Sequence, residues 1–253
     1  MRVVISMSKS IAVWGSPGSG KSTLAGTLAY LLAKQKKNVV LFDLSILTPQ
    51  LSVWQPFSEV TYSASLNSLM QVDELSLELV SNKIIPVTDY LGVMGFVRGE
   101  MPINSQEYQR DDKFQQIVDF VKDMADYLIF DCSSNVLESI YALHAISISN
   151  QTLRVLSPDI KGIVWEQSNV PMLQDAKFRA AEQIRVAGCC KSYHNISLVE
   201  NVVGTFQILL PYCEDIDLLN LNGKLFGTLH TKVYDQYKNL LLQGLKEVLS
   251  YAG

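Results

Sequence analysis

Residues 15–22 have the types and spacing of a phosphate-binding loop. They read Gly-Ser-Pro-Gly-Ser-Gly-Lys-Ser and match the pattern G-x-x-x-x-G-K-[ST]. Glycines in such a loop let consecutive backbone N–H groups point at one anion, and a helix that begins there adds partial positive charge. We expect Lys21 to reach the β- and γ-phosphates of a nucleotide and the Ser22 hydroxyl to ligate Mg²⁺. The motif therefore predicts that the chain binds a nucleotide through its phosphates.

Two aspartates stand where the partner of such a loop is expected. Asp131 follows the apolar run Tyr-Leu-Ile-Phe, and Asp43 follows Val-Val-Leu-Phe. Ligands of an open α/β sheet bind beyond the carboxyl ends of its strands, and phosphate loops work with a strand-end aspartate that holds the magnesium shell. We predict Asp131 as the metal-binding aspartate, and Asp43 together with Lys21 as catalytic residues. Either aspartate could instead be an ordinary cap or turn residue.

The sequence around the loop predicts a βαβ unit. Residues 11–14 form a short apolar run before the loop, and Leu24, Leu28 and Leu31 recur after it at helical spacing. Residues 39–42 then form a continuous apolar run that is typical of a strand buried on both faces. Strand, helix and strand in this order imply parallel strands joined by a right-handed crossover.

Alternating strand and helix patterns continue along the rest of the chain. Helices or turns are expected at residues 66–80 (short helices), 98–105 (turn-rich), 114–124 (amphipathic helix) and 233–249 (final helix). Further strands are predicted at residues 91–96, 127–130, 152–156, 196–199 and 206–210. The sequence contains no evident linker or repeat. We therefore predict a single doubly wound α/β domain over residues 1–253, with a mostly parallel sheet flanked by helices.

Composition narrows the class of protein further. The chain has 253 residues, of which 48% are apolar and 18% charged, and its net charge is −4. The low charged fraction favours a large buried core, and the negative balance argues against a strongly basic nucleic-acid-binding protein. Its four cysteines include no C-x-x-C pair, so a zinc site has no support. Because no apolar run could span a membrane or serve as a signal peptide, we expect a cytoplasmic protein.

The base of the bound nucleotide is predicted to be adenine. Guanine-specific proteins usually carry an N-K-x-D segment late in the chain. Here Asn82 and Lys83 are followed by two isoleucines and come too early in the sequence to serve that role. ATP with Mg²⁺ is therefore the expected ligand pair.

Longer segments of the chain resemble the ParA/MinD family of P-loop ATPases. The stretch SIAVWGSPGSGKSTLAGTLAYLLAKQKKNVVLFDLSI is similar to the family's opening βαβ unit. DYLGVMGFVRGEMP, a helix and DYLIFDCSS resemble its middle strand and its second Asp-ended strand. Residues 195–201 and the later Leu-Pro-Tyr-Cys-Glu-Asp are similar to the strand and loop that flank adenine. Within the family, the Leu-Gly-Val-Met-Gly-Phe and Leu-Pro-Tyr segments look most like the pilus-assembly members, the CpaE/TadZ group.

The resemblance implies a nucleotide site and a nucleotide-dependent dimer. Asn201 would face the adenine, and Pro211 would begin the loop that closes its other side. Switch behaviour is implied around Asp43 and residues 131–134, with Mg²⁺ near Ser22. The ATP-bound homodimer would recruit an unidentified protein partner. The candidate nucleotide-binding residues are Gly15, Ser16, Pro17, Gly18, Ser19, Gly20, Lys21, Ser22, Thr23, Asn201 and Pro211.

Some positions depart from the family pattern. The family's loop begins with a lysine that reaches the nucleotide of the other subunit, and Ser16 occupies that position. A second carboxylate commonly follows the first strand-end aspartate by two residues, and Ser45 stands there instead. Pro17 removes one N–H from the loop. Because a serine cannot supply the charge that stabilises phosphoryl transfer, slow or absent hydrolysis is an open alternative.

Three functions stay open from the sequence: an ATP-driven dimer switch, a nucleotide-binding scaffold with negligible hydrolysis, and a small-molecule kinase. P-loop kinases tend to carry arginines in a mobile lid, whereas the few arginines here do not cluster. DNA binding has no strong support, because Lys224, Lys232 and Lys238 are dispersed. The final helix has balanced charges rather than the basic face that anionic lipids attract, so contact with a membrane surface is not expected.

Overall fold

A single eight-stranded sheet forms the centre of the described part of this computed structural model, which covers residues 8–54, 65–100, 111–135, 139–226 and 229–250. The strands are β1 (Lys9–Gly15), β2 (Val39–Asp43), β3 (Ile85–Thr88), β4 (Leu91–Gly95), β5 (Tyr127–Asp131), β6 (Gln151–Leu156), β7 (Ile184–Cys190) and β8 (Ile208–Pro211). Their order in space is β3-β4-β2-β5-β1-β6-β7-β8. Neighbouring strands are parallel except for the antiparallel pair β3 and β4.

Helices cover both faces of the sheet. They are α1 (Lys21–Lys34), α2 (Leu51–Trp54), α3 (Leu66–Met70), α4 (Leu77–Ser81), α5 (Asp111–Lys122), α6 (Ile140–Ile148), α7 (Ile160–Asn169), α8 (Ile196–Val203), α9 (Glu214–Leu221) and α10 (Lys232–Ser250). Two short 3₁₀ turns follow α7, at Val170–Leu173 and Ala176–Phe178. Among the described residues, no helix combines the length and the hydropathy needed to cross a membrane.

Alternating side chains of the central strands build two separate cores. On one face, Trp14 of β1 and Phe130 of β5 pack with residues of α5, α6 and α7. On the other face, Val13 of β1 and Ile129 of β5 pack with residues of α1 and α10. Because both faces are covered, the middle residues of these strands, 11–14 of β1 and 128–130 of β5, are apolar, as their sequences predicted.

The doubly wound, mostly parallel sheet predicted from the sequence is confirmed, and one predicted strand is wrong. Residues 196–199 lie in helix α8, because the Asn195 side chain accepts a hydrogen bond from the Leu198 N–H and caps a helix there. Strands β3 and β7 were not predicted. The turn-rich stretch predicted at residues 98–105 lies partly outside the described residues.

Strand register places the predicted site residues at one edge of the sheet. Asp43 at the end of β2 and Asp131 at the end of β5 are direct neighbours, and Asp131 also neighbours Val13 of β1. Gly15, the last residue of β1, neighbours Val155 of β6. The phosphate loop and both aspartates therefore meet at the carboxyl ends of three adjacent parallel strands.

Candidate nucleotide-binding site

The phosphate loop begins at the end of β1, where this strand pairs closely with β6. The Ser16 N–H donates a 2.9 Å hydrogen bond to the Val155 carbonyl oxygen, and Gly15 has a φ of 154°. A Cβ atom on Gly15 would lie 1.8 Å from that same oxygen, so only glycine fits. At the other end of the loop, Gly20 precedes α1 in the left-handed region with a φ of 82°. The loop conformation thus depends on the glycines that define the motif.

Ser16, at the position of the family's inter-subunit lysine, points into the protein. It is buried, and its Oγ accepts a 2.9 Å hydrogen bond from the Ser157 N–H just after β6. Its carbonyl oxygen accepts a 2.8 Å bond from the Ser19 hydroxyl. Pro17 and Gly18 are the exposed residues of the loop. Ser16 therefore stabilises the loop within its own chain and does not project from its surface.

Asp131 is a buried carboxylate placed beside the phosphate loop. It is 1% exposed, and neither of its oxygens has a hydrogen-bond partner of normal geometry among the described residues. Burial raises the pKa of Asp131 to about 6, although the Lys21 ammonium and the Ser22 hydroxyl both act to lower it. Buried carboxylates normally bind a partner, so a carboxylate without hydrogen bonds beside Lys21 and Ser22 is suited to hold a cation.

The oxygens of Asp131 and Ser22 are the kind of ligand that Mg²⁺ prefers. Within the described residues, no group of three or more His, Cys, Asp or Glu side chains could hold a metal by itself. Magnesium bound with a nucleotide needs only one or two protein oxygens, because phosphates and waters supply the rest. The residues present therefore fit a magnesium ion that arrives with its nucleotide.

Asp43 has a different environment from Asp131, although the two are neighbours. Its carboxylate accepts backbone hydrogen bonds from Ser45 at 3.1 Å, from Leu51 at 2.9 Å and from Gln50. Burial and the nearby Asp131 charge raise the pKa of Asp43, and these three backbone bonds oppose that rise. In this conformation Asp43 anchors the segment that joins β2 to α2.

A cavity of about 310 Å³ opens beside the phosphate loop, between the ends of β7 and β8 and the start of α9. This volume lies at the small end of the range for ligand pockets, roughly 300–1,000 Å³. The Lys191 ammonium lies 4.7 Å from the centre of the Tyr212 ring, and the Asp217 carboxylate raises the pKa of Tyr212 by accepting its hydroxyl hydrogen bond. The lining residues are Gly18, Ser19, Gly20, Thr23, Leu24, Val155, Gly188, Cys189, Lys191, Leu210, Pro211, Tyr212, Cys213, Ile216, Asp217 and Tyr237.

The structure brings most of the predicted site residues together and leaves one aside. Pro211 and Thr23 line the cavity, as do residues 18–20 of the loop. Asn201 is exposed on helix α8 and does not line the cavity, because the strand that it was predicted to end does not exist. We therefore leave Asn201 out of the proposed nucleotide site.

Among the cavity residues that sequence reasoning did not assign to the site are Gly188, Cys189, Lys191, Asp217 and Tyr237. Cys189, Lys191, Asp217 and Tyr237 belong to no motif, and nothing in the sequence indicated that they line the site. Gly188 could have been suspected, since a glycine within an apolar run can mark a close approach of two backbone segments. Its Cβ position is 2.0 Å from the Ser19 carbonyl oxygen, so β7 contacts the phosphate loop directly.

A mostly parallel sheet with a phosphate loop after β1, an aspartate at the end of the adjacent strand β5 and another at the end of the next strand, β2, defines a P-loop nucleotide-binding protein. Residues 11–252 match the family model described as the CobQ/CobB/MinD/ParA nucleotide binding domain. The chain belongs to this family, and it is a nucleotide-binding ATPase domain of the ParA/MinD type. A sequence search among curated proteins gave no match.

Solved structures share the fold over nearly the whole chain. The ParA family ATPase from Chlorobium tepidum TLS has a TM-score of 0.71 and 15% identity, and 98% of each chain is covered. The septum site-determining protein MinD from Pyrococcus horikoshii OT3, complexed with Mg-ADP, has a TM-score of 0.71 and 19% identity, with 98% of each chain covered. A chain of the MinC:MinD cell division protein complex of Aquifex aeolicus has a TM-score of 0.71 and 15% identity, with 96% of each chain covered.

Replacing Asp131 by asparagine is expected to stabilise the ligand-free protein while removing its response to magnesium. The pKa of Asp131 is raised from 3.8 to about 6, so the folded state holds the proton more tightly than the unfolded chain. Stability therefore falls as pH rises from about 4 to about 6 and stays low above that range. At neutral pH, Asp131→Asn should raise the free energy of unfolding by about 2–3 kcal/mol.

Urea unfolding of the ligand-free protein, with and without Mg²⁺ and ATP, measures both effects. Asp123→Asn is the matched control, because Asp123 is exposed just after α5 and lies near Ser10 at the start of β1, at the opposite end of the strand from the site. We expect the control to behave as the wild type in both conditions. If Asp131→Asn retained the full stabilisation by magnesium with ATP, Asp131 would have no part in metal binding.

Proposed function

We propose that this chain binds ATP with Mg²⁺ at the described site and acts as a nucleotide-dependent switch, whose ATP-bound form pairs with a second copy. The orphaned carboxylate of Asp131 beside Lys21 and Ser22 carries the proposal. A buried carboxylate whose oxygens lack well-formed hydrogen bonds destabilises the protein unless a ligand compensates for it. Family membership supports nucleotide binding independently.

Each part of the site has its own task. The backbone N–H groups of the loop and the N-terminus of α1 hold the phosphates, and Lys21 contributes its charge to the terminal ones. Ser22 and Asp131 would hold the metal, which when bound neutralises charge on the phosphate oxygens. The cavity between β7 and β8 accepts the base, with Pro211 in its wall.

The same geometry supports slow turnover by the isolated protein. Ser45 is buried, and its hydroxyl lies 3.1 Å from the Thr48 hydroxyl, so no second carboxylate stands near Asp43 on this segment to orient water. Ser16 is bonded inward to Ser157 and carries no positive charge. Stabilising charge at the reacting phosphate is worth powers of ten in rate, and its absence favours a long-lived ATP state.

A second candidate function follows from these two serines: a nucleotide-binding scaffold that does not hydrolyse ATP. In the switch, the ATP-bound state ends when ATP is hydrolysed. In the scaffold, it ends only when the nucleotide dissociates. The resemblance to pilus-assembly members, the protein partner and the cytoplasmic location stay predictions.

Light scattering and phosphate release test the proposal together. We expect a mass near 28.2 kDa without nucleotide and about twice that value with Mg²⁺ and the ATP analogue AMPPNP. Phosphate release should be slow but measurable, and absent release with normal dimerisation would select the scaffold. A protein that binds the analogue and stays monomeric at all concentrations would contradict the switch.

A further inference from the structure

Two tryptophans form a buried pair behind the phosphate loop. Trp14 directly precedes Gly15, and its ring centre lies 4.8 Å from that of Trp165 on α7 in an edge-to-face arrangement. Both side chains are buried. The Trp14 indole N–H donates a 2.9 Å hydrogen bond to the Gln183 side chain. The strand that leads into the loop is therefore packed directly against α7.

The indole of Trp165 bonds to the loop that follows Asp131 (residues 132–135, named here the Asp131 loop). Its N–H donates a 2.9 Å hydrogen bond to the backbone carbonyl oxygen of Ser134, three residues beyond Asp131. The start of the same loop is held by the Cys132 N–H, which donates 2.8 Å to the Val13 carbonyl oxygen. The Asp131 loop is thus fixed at its start by β1 and further along by α7.

The beginning of α7 is bonded to the phosphate loop as well. Ser157, whose N–H bonds to Ser16, donates its own hydroxyl to the Asp159 carboxylate at 2.8 Å. Asp159 in turn caps α7 by accepting a 2.9 Å bond from the Gly162 N–H. Helix α7 is therefore linked to both loops that surround the expected phosphates, to the phosphate loop through its cap Asp159 and Ser157, and to the Asp131 loop through Trp165.

We propose that Trp165 is a positioning residue for the terminal-phosphate end of the site. Its indole holds the Asp131 loop in the place where that loop meets the metal and the γ-phosphate. In phosphate-loop switches, the segments near the metal are ordered by the γ-phosphate and released without it, whereas the first phosphates are held by the loop itself. The Trp165 bond should therefore favour ATP over ADP. This inference rests on the proposed function of the site.

Trp165→Phe tests the inference, because phenylalanine keeps an aromatic ring and removes the N–H donor. We expect affinity for Mg²⁺ with AMPPNP to fall about fivefold, in line with one net hydrogen bond, and affinity for Mg²⁺ with ADP to stay within about twofold. Trp54→Phe is the matched control, since it makes the same change in the core on the other face of the sheet. Titration calorimetry measures the affinity of each variant and of the wild type for both nucleotides.

The outcomes separate a positioning role from a structural one. Equal loss of both nucleotides, or loss of neither, would overturn the assignment of Trp165. A wild-type protein that binds no nucleotide would instead contradict the proposed function and leave no selectivity to explain.

A measurement on the unaltered chain keeps the inference testable if Trp165→Phe fails to fold. The chain has three tryptophans, so its NMR spectrum has three indole N–H signals, which Trp14→Phe and Trp54→Phe assign by elimination. The Trp165 signal should take one position with Mg²⁺ and ADP and another with Mg²⁺ and AMPPNP. Identical positions in both complexes would show that the bond does not sense the terminal phosphate, which overturns the proposal.

Discussion

Lys21→Ala is expected to weaken binding of both ATP and ADP by about 100-fold or more, which corresponds to about 2.7 kcal/mol. A lysine at this position of a phosphate loop donates charge-assisted hydrogen bonds to the β- and γ-phosphates. The β-phosphate is present in both ATP and ADP, so both should bind more weakly. Loss of Lys21 also removes a positive charge that lowers the pKa of Asp131. The remaining buried carboxylate would then bind a proton more readily and a metal less readily.

Titration calorimetry at neutral pH measures this loss. Lys37→Ala is the control, because Lys37 is exposed just beyond the far end of α1 and makes the same change in net charge. The control should bind both nucleotides as the wild type does. Unchanged affinity in Lys21→Ala, with the protein folded, would exclude the loop as the nucleotide site.

Gly188→Ala is expected to disturb the site from outside the recognised motif. A Cβ atom at residue 188 would lie 2.0 Å from the Ser19 carbonyl oxygen and 2.9 Å from a methyl group of Val155. Since the shorter contact is with a backbone carbonyl oxygen, which no side-chain rotation can relieve, β7 and the phosphate loop must move apart. Overpacking of this kind costs about 1–3 kcal/mol of stability. We expect nucleotide affinity to fall at least about tenfold, because such a displacement moves the loop N–H groups out of alignment with the phosphate oxygens that they bind.

Thermal unfolding and calorimetry together measure the two effects of Gly188→Ala. Gly99→Ala is the control, because the added methyl group meets no atom of the described residues within 4 Å and a φ of 84° adds only backbone strain. Gly99 also does not line the cavity. The control should lose some stability and keep its nucleotide affinity. A Gly188→Ala protein with unchanged affinity would show that the loop tolerates movement of β7.

The sequence was sufficient to predict the parts of the site that are local in the chain. The phosphate loop, Ser22 and the start of α1 form one continuous segment, so their spacing alone specified their arrangement. Asp43 and Asp131 were placed correctly at strand ends because each directly follows an apolar run that is typical of a strand buried on both faces. What their spacing could not indicate is that Asp43 binds three backbone N–H groups while Asp131 binds none among the described residues.

The base-binding side of the site was harder to predict, because its residues come from separate segments and follow no motif. Strand β7 is poorer in β-branched residues than the central strands, because it contains Gly188, two cysteines and Arg185. Residues 196–199 form an apolar run short enough for either a strand or a helix turn. The asparagine before them is a helix-capping signal that would have favoured α8.

The contacts of the phosphate loop also have a consequence for synthesis. The loop lies near the beginning of the chain, whereas Ser157, which bonds to Ser16, is 141 residues later, and Gly188 is later still. At roughly 5–20 residues per second, those partners leave the ribosome on the order of ten seconds after the loop. We therefore expect ATP to bind only after the chain has been synthesised through residue 188. Nascent chains that end before β7 are expected to have the complete motif and yet not retain nucleotide.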